Sequence, residues 1–253
     1  MIPNKGDSEH KLALKISGKS LEKNAHLMQD LMIRTVQEAN FGEHQRIQEL
    51  LSFISADNEQ SLTQNGHVLA MANAASQLTE VASTNDLTSG IRFINNTGLL
   101  SKNISDEGSL DIYIKNLKSI QSKISLTPKN IFTASSLNAD EMDLKSFSGL
   151  NAADVDEQNF IKVQDKSIGW ITGSQVCFCA EAFPTVDLSH EDAPSLSVLG
   201  TVLRNGYLHS AIREKGGAYG AGAMQDSNNS VFKFFSYRDP KCSETFSEFN
   251  NAR

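Results

Sequence analysis

Ile212 to Pro240, IREKGGAYGAGAMQDSNNSVFKFFSYRDP, is the stretch from which the fold is read. Leu199, Val202, Leu203, Leu208 and Ile212 feed it at helical spacing, predicting a helix that runs into Arg213, Glu214 and Lys215. Gly216-Gly217 then supplies the residues that suit a helix C-terminus. Ala218 to Gln225 and Val231 to Arg238 flank Asp226-Ser227-Asn228-Asn229, a turn composition that predicts an antiparallel hairpin. Arg213 at a helix end and Tyr219 at a strand start are thereby brought near one point of a rigid scaffold.

Working outward toward the N-terminus, Lys11 to Gly18 alternates apolar and polar residues and predicts a half-buried strand. Ser20 caps a helix expected to reach Gly42, and Glu43 to Ala56 and Gln60 to Thr84 read as two more. Thr88 to Asn103, with Gly90, Gly98 and two asparagines, reads as a loop ordered at most around Ile91 to Ile94. A further helix is expected over Asp106 to Ile124, with Leu110, Ile114, Leu117 and Ile120 as its stripe. A short strand at Ile131 to Ser136 and a helix at Ala139 to Phe147 follow. The polar stretch 151–165 is the expected linker, separating a region 1–150 from a region 166–253. The second region opens with a strand in Gly169 to Phe183 and a helix capped by Asp187 or Ser189. It closes with a helix started by Pro240 and carrying Phe246 and Phe249. The fold class is α+β, helices layered on antiparallel or mixed sheets. A three-stranded second region leaves an open edge, so the reading expects a truncated domain or one completed by another polypeptide.

Composition excludes several classes of function. The 253 residues have an apolar share of 39%, enough for real cores. A net charge of −7, with 30 acids against 23 bases and no basic run, argues against a nucleic-acid surface. The sequence has no apolar run long enough to span a bilayer and no signal-peptide core at its start, so no membrane partner is expected. Cys177, Cys179 and Cys242 read as reduced structural thiols, in keeping with a reducing intracellular compartment; Cys-x-Cys lacks the further ligands a metal needs.

Neither H-E-x-x-H nor H-x-x-E-H occurs, and Asn40-Phe41-Gly42-Glu43-His44 places an amide where a first zinc ligand would stand. The remaining histidines lack ligand spacing, and no metal site is expected in the chain. The run Gly216 to Gly222 follows a helix instead of preceding one, so it is no phosphate loop. It is either a helix stop leading into a strand of small residues or an edge beside which an extended peptide lies as an added strand. The substrate-binding candidates on the second reading are Gly217, Ala218, Gly220 and Gly222. Arg213 and Tyr219 likewise read either as a helix-end charge and a surface aromatic or as functional donors.

IREKGGAYGAGA, the upstream LGTVLRNGYLHSA and the downstream FKFFSYRDP resemble the second half of pitrilysin/insulinase-type zinc metallopeptidases, presequence-protease subgroup. ISGKSLEKN, NFGEHQRIQELL and NGHVLAMANAAS are similar to that subgroup's third domain, so the likeness covers essentially the whole chain. The resemblance implies a third-domain-like region at 1–150 and the N-terminal part of a fourth domain at 166–253. It implies a chamber closing around unfolded peptide, with zinc held by a separate N-terminal half in the same or another chain. Arg213 and Tyr219 match the family's Arg and Tyr that hydrogen-bond the scissile carbonyl. On this reading zinc belongs to the parent enzyme, and the chain alone binds none and cleaves nothing. The rival is a non-catalytic scaffold or regulatory subunit with the same fold.

Overall fold

The computed structural model of the chain describes residues 14–104, 106–126, 134 and 167–253. Its elements are α1 (Ala25–Gln37), α2 (His44–Ala75), α3 (Glu80–Ser89), α4 (Ile91–Asn103), α5 (Glu107–Leu126), β1 (Ala180–Pro184), α6 (Ala193–Leu203), β2 (Gly220–Asp226), β3 (Val231–Tyr237) and α7 (Ser243–Asn251). A π-helical segment, Arg204–Lys215, continues α6. The α+β class is therefore observed: helices with a small antiparallel sheet. Chain contacts divide the described residues into two units, 52–100 with 167–253, and 14–51 with 101–104, 106–126 and 134. The first unit draws on both sides of the expected linker at 151–165, which lies outside the described residues. So does the helix expected at Ala139 to Phe147, and the strand expected at Ile131 to Ser136 except for residue 134.

In the second unit α1 and α5 pack together, and Gln121 Nε2 donates to the Ala39 carbonyl at 3.3 Å. The strand expected at Lys11 to Gly18 is absent over its described part; Leu14 is 66% exposed, and Gly18 lies against Met28. Alternation alone forms no strand, because a strand needs a ladder partner and none lies beside it among the described residues. Ser20 caps nothing: Leu21 and Asn24 hold the cap positions of a short 3-10 turn and of α1, without side-chain bonds.

The two helices expected between Glu43 and Thr84 are one run, α2, kinked at Asn65 (φ −117°, ψ 19°) and ending at Ala75. The helix that follows, α3, starts on Thr79, whose Oγ1 accepts from Ala82 N at 3.3 Å. The loop expected at Thr88 to Asn103 is α4. Gly90 closes α3, and Ile91, Ile94 and Thr97 turn one face of the next helix into buried surface. Burial of that stripe outweighs the poor helix propensity of its asparagines and Gly98.

The sheet order is β1-β3-β2, with both pairings antiparallel. The central strand, β3, is covered on both faces, which is why VFKFFSY reads as nearly continuous apolar sequence instead of alternating. Phe232 and Phe234 join Leu208, Ile212, Ala221, Ala223 and Phe249 in one core cluster beneath α6 and α7. Val231 packs the opposite way, against Ala75 and Ala82. The expected hairpin is present, with Gly220 opposite Tyr237 and Asp226 opposite Val231. The strand expected over Gly169 to Phe183 forms only from Ala180; ahead of it Cys177 bridges Asp239. Its partner leaves the ladder at Arg238, whose φ of 48° turns the backbone away.

Two further expectations are corrected. Leu199 and Val202 are 44% and 60% exposed, whereas Leu196 and Leu203 pack on the core. The face is set by Gly200, where an added Cβ would stand 3.0 Å from the Ala223 carbonyl oxygen, so the helix lies directly on β2. The last helix, α7, starts at Ser243 and not at Pro240, and Asp187 forms a local turn with Ser189 rather than a cap for α6. Among the described residues no helix is long and apolar enough to cross a membrane.

Candidate functional site

The π-helical segment buries Leu208 and Ile212 on its inner side and carries Arg213 outward into solvent. It stops as its glycines require. An added Cβ on Gly216 would lie 2.4 Å from the Ile212 carbonyl oxygen, and Gly217 has φ +87°. Gly217 N donates to Arg213 O and Ala218 N to Ile212 O, both at 3.1 Å. This is the usual double-bonded helix stop widened by one residue, as the π-helical winding dictates. Ala218 is thereby pinned in the core, and Tyr219, the next residue, emerges 66% exposed.

Arg213 and Tyr219 thus flank a rigid stop at the start of β2. Among the described residues the Arg213 guanidinium has no hydrogen bond or ion pair, and the Tyr219 hydroxyl has no hydrogen bond. Tyr219 N donates to Arg238 O at 3.3 Å, and its ring meets the Tyr237 ring edge-on at 5.5 Å and 81°. Gly217 is exposed, Ala218 buried, Gly220 half-buried and Gly222 buried. Gly220 faces open space, while the place of a Gly222 Cβ is taken by the Phe235 ring, 2.9 Å away. As a terminal strand of the sheet, β2 leaves one edge without a partner among the described residues.

Tyr237 is a member of this constellation that its own stretch of sequence left ambiguous. It contacts His67 at 4.6 Å and Phe178 at 5.8 Å, and the Arg238 guanidinium carbon stands 5.4 Å from its ring centroid. Phe178 in turn occupies the side-chain space of Gly66, one residue past the α2 kink. The signals were present as alternating aromatics on two strands and a lone glycine in a helix; what joins them is long-range packing. Burial holds the His67 imidazole below its usual value, and its Nδ1 is buried without a partner among the described residues. Asp239 proves structural: its carboxylate accepts from Lys241 N at 2.9 Å and Thr245 Oγ1 at 2.6 Å, leading into α7. It does not pair with Arg238.

All three cysteines are free, with Cys179 Sγ 3.8 Å from Cys242 Sγ; burial pushes the Cys179 thiol up to about 12. Trp170 donates to Asn73 Oδ1 at 3.1 Å, and Asn73 in turn to the buried Asp86 that Arg92 neutralises. Among the described residues no group of three or more His, Cys, Asp or Glu is arranged to hold a metal ion.

Residues 1–99 match the family model of a peptidase-associated region, and residues 169–253 match the model "PreP C-terminal domain". Similar curated proteins include the mitochondrial presequence protease of Emericella nidulans, 31% identical over 94% of this chain and 24% of its own length. Those of Yarrowia lipolytica and Drosophila melanogaster are 28% and 27% identical over 94% and 100% of the chain, each covered over 25% of its length. The chain spans about a quarter of the length of the curated relatives it matches. With both family models and these relatives aligning along it, the chain belongs to the presequence-protease family, within its C-terminal half.

Proposed function

We propose that this chain is the substrate-facing part of the C-terminal half of a zinc-dependent endopeptidase that degrades unstructured oligopeptides. Region 1–150 corresponds to a third pitrilysin-like domain and region 166–253 to the N-terminal part of a fourth, with 151–165 joining them. The described residues offer no metal site, so zinc is assigned to a partner half, in the same or a separate chain, and the chain by itself is inactive.

The observation that carries the reading is the pair of unengaged donors, Arg213 and Tyr219, on either side of a rigid helix stop. A guanidinium and a phenol donate hydrogen bonds to the scissile carbonyl oxygen, and those bonds strengthen as negative charge builds there. Donors fixed beforehand by the fold need no reorganisation at that moment. Peptide lies extended along Gly217, Ala218 and Gly220 at the open edge of β2; Gly222 contributes backbone only, its side-chain space being filled from within.

In the complete peptidase, Arg213→Ala and Tyr219→Phe each lower kcat, by about a hundredfold or more, with zinc content and thermal midpoint unchanged. Wild-type turnover in both variants would remove the catalytic role and leave the chain as a non-catalytic scaffold.

A further inference from the structure

We infer that Tyr237 is a positioning residue for Tyr219, a role that rests on the catalytic reading of Tyr219 and extends it. Tyr219 projects into solvent, and an exposed phenol left to itself samples several rotamers. Its ring has one aromatic neighbour among the described residues, Tyr237, at edge-to-face geometry. Tyr237 is itself clamped from behind by His67 and Phe178, which rest on the kinked part of α2, and its Arg238 neighbour lays a guanidinium near the ring.

The backbone reinforces the same clamp. Arg238 holds a left-handed φ of 48°, a conformation that costs a non-glycine residue about 1 kcal/mol or more. It is kept there by paired backbone bonds between Cys177 and Asp239, 2.7 and 2.9 Å, and by the Asp239 carboxylate in the α7 approach. In that conformation the Arg238 carbonyl receives Tyr219 N, so the strained residue fixes the main chain of Tyr219 while the ring beside it fixes the side chain. The Tyr237 hydroxyl makes no hydrogen bond among the described residues; the ring, not the hydroxyl, does the positioning.

The test uses the complete peptidase containing this chain, with kcat and KM measured on an unstructured peptide. Tyr237→Leu lowers kcat about tenfold with KM retained, as expected for a donor displaced by a fraction of an ångström. Tyr237→Phe restores the wild-type rate. Tyr237→Met, which keeps bulk without an aromatic face, carries the same expectation as Tyr237→Leu if that variant does not fold. In a Tyr219→Phe background, Tyr237→Leu costs nothing further, because the hydroxyl it positions is already gone. An equal loss in both backgrounds, or full kcat in Tyr237→Leu, overturns the inference while leaving the role of Tyr219 intact. Wild-type kcat in Tyr219→Phe alone would instead overturn the underlying reading, and this one with it.

Discussion

The two ends of the β2–β3 hairpin are built to opposite rules. At the turn end every strong polar group is engaged. Lys233, buried in the middle of β3, reaches the Asp226 carboxylate, which also accepts from Asn229 Nδ2 at 2.7 Å. Asn229 receives Asn85 Nδ2 at 3.0 Å, and its carbonyl receives Thr79 Oγ1 at 3.2 Å. Burial pushes the Asp226 carboxyl up, yet the bonds from Lys233 and Asn229 outweigh it and hold the group below its usual value. At the open end Arg213, Tyr219 and Arg238 stand exposed with no carboxylate partner among the described residues, on a backbone that includes a left-handed Arg238. The polar groups of the turn end are satisfied by the fold. Those of the open end are held in place by the fold and satisfied by something else.

Breaking the turn end should therefore damage stability and spare chemistry. Lys233→Ala leaves a half-buried carboxylate without its cation and is expected to cost about 3–5 kcal/mol, read as a lower denaturation midpoint. Turnover per folded molecule in the complete enzyme should stay at the wild-type value; a loss of kcat with stability intact would erase the contrast. A smaller effect separates the two glycines of β2. Gly222→Ala forces the Phe235 ring aside and should cost about 1–3 kcal/mol. Gly220→Ala meets open space and should leave the midpoint within about 0.5 kcal/mol, so its effect on peptide affinity reports the strand edge directly. Unchanged affinity in a Gly220→Val enzyme would argue against peptide addition along this edge.

The smallest expected effect concerns pH. Burial lowers the folded pKa of His67 beneath the ordinary 6.5, so around that value the unfolded chain binds more protons. The His67 contribution to stability is then full above pH 6.5 and is lost as the pH falls through the folded value. His67→Phe should flatten that part of the stability profile, and an unaltered profile would show that the imidazole stays solvated.

The hairpin, its turn and the glycine stop were legible because each is specified locally, by residues whose backbone preferences leave few alternatives. The helix at Ile91–Asn103 was not, because its asparagines and Gly98 speak against a helix and only burial of Ile91, Ile94 and Thr97 argues for one. Lys11 to Gly18 erred the other way, since its alternation was real and its partner was not. The exposed side of α6 was misread because Gly200, the smallest residue on the helix, turns out to mark the packed face. Arg213 and Tyr219 were found through motif likeness and their position at an element boundary. Tyr237 and His67 were missed because sequence does not reveal that a kinked helix from 52–100 delivers one ring against another.

The central claim is that two side chains left unengaged by the fold act on a peptide carbonyl. It is met most directly by single-turnover cleavage in the complete enzyme carrying Arg213→Ala together with Tyr219→Phe, at saturating peptide and full zinc loading. The account predicts a chemical step slowed at least a hundredfold, with peptide still bound. A chemical step at the wild-type rate would contradict it.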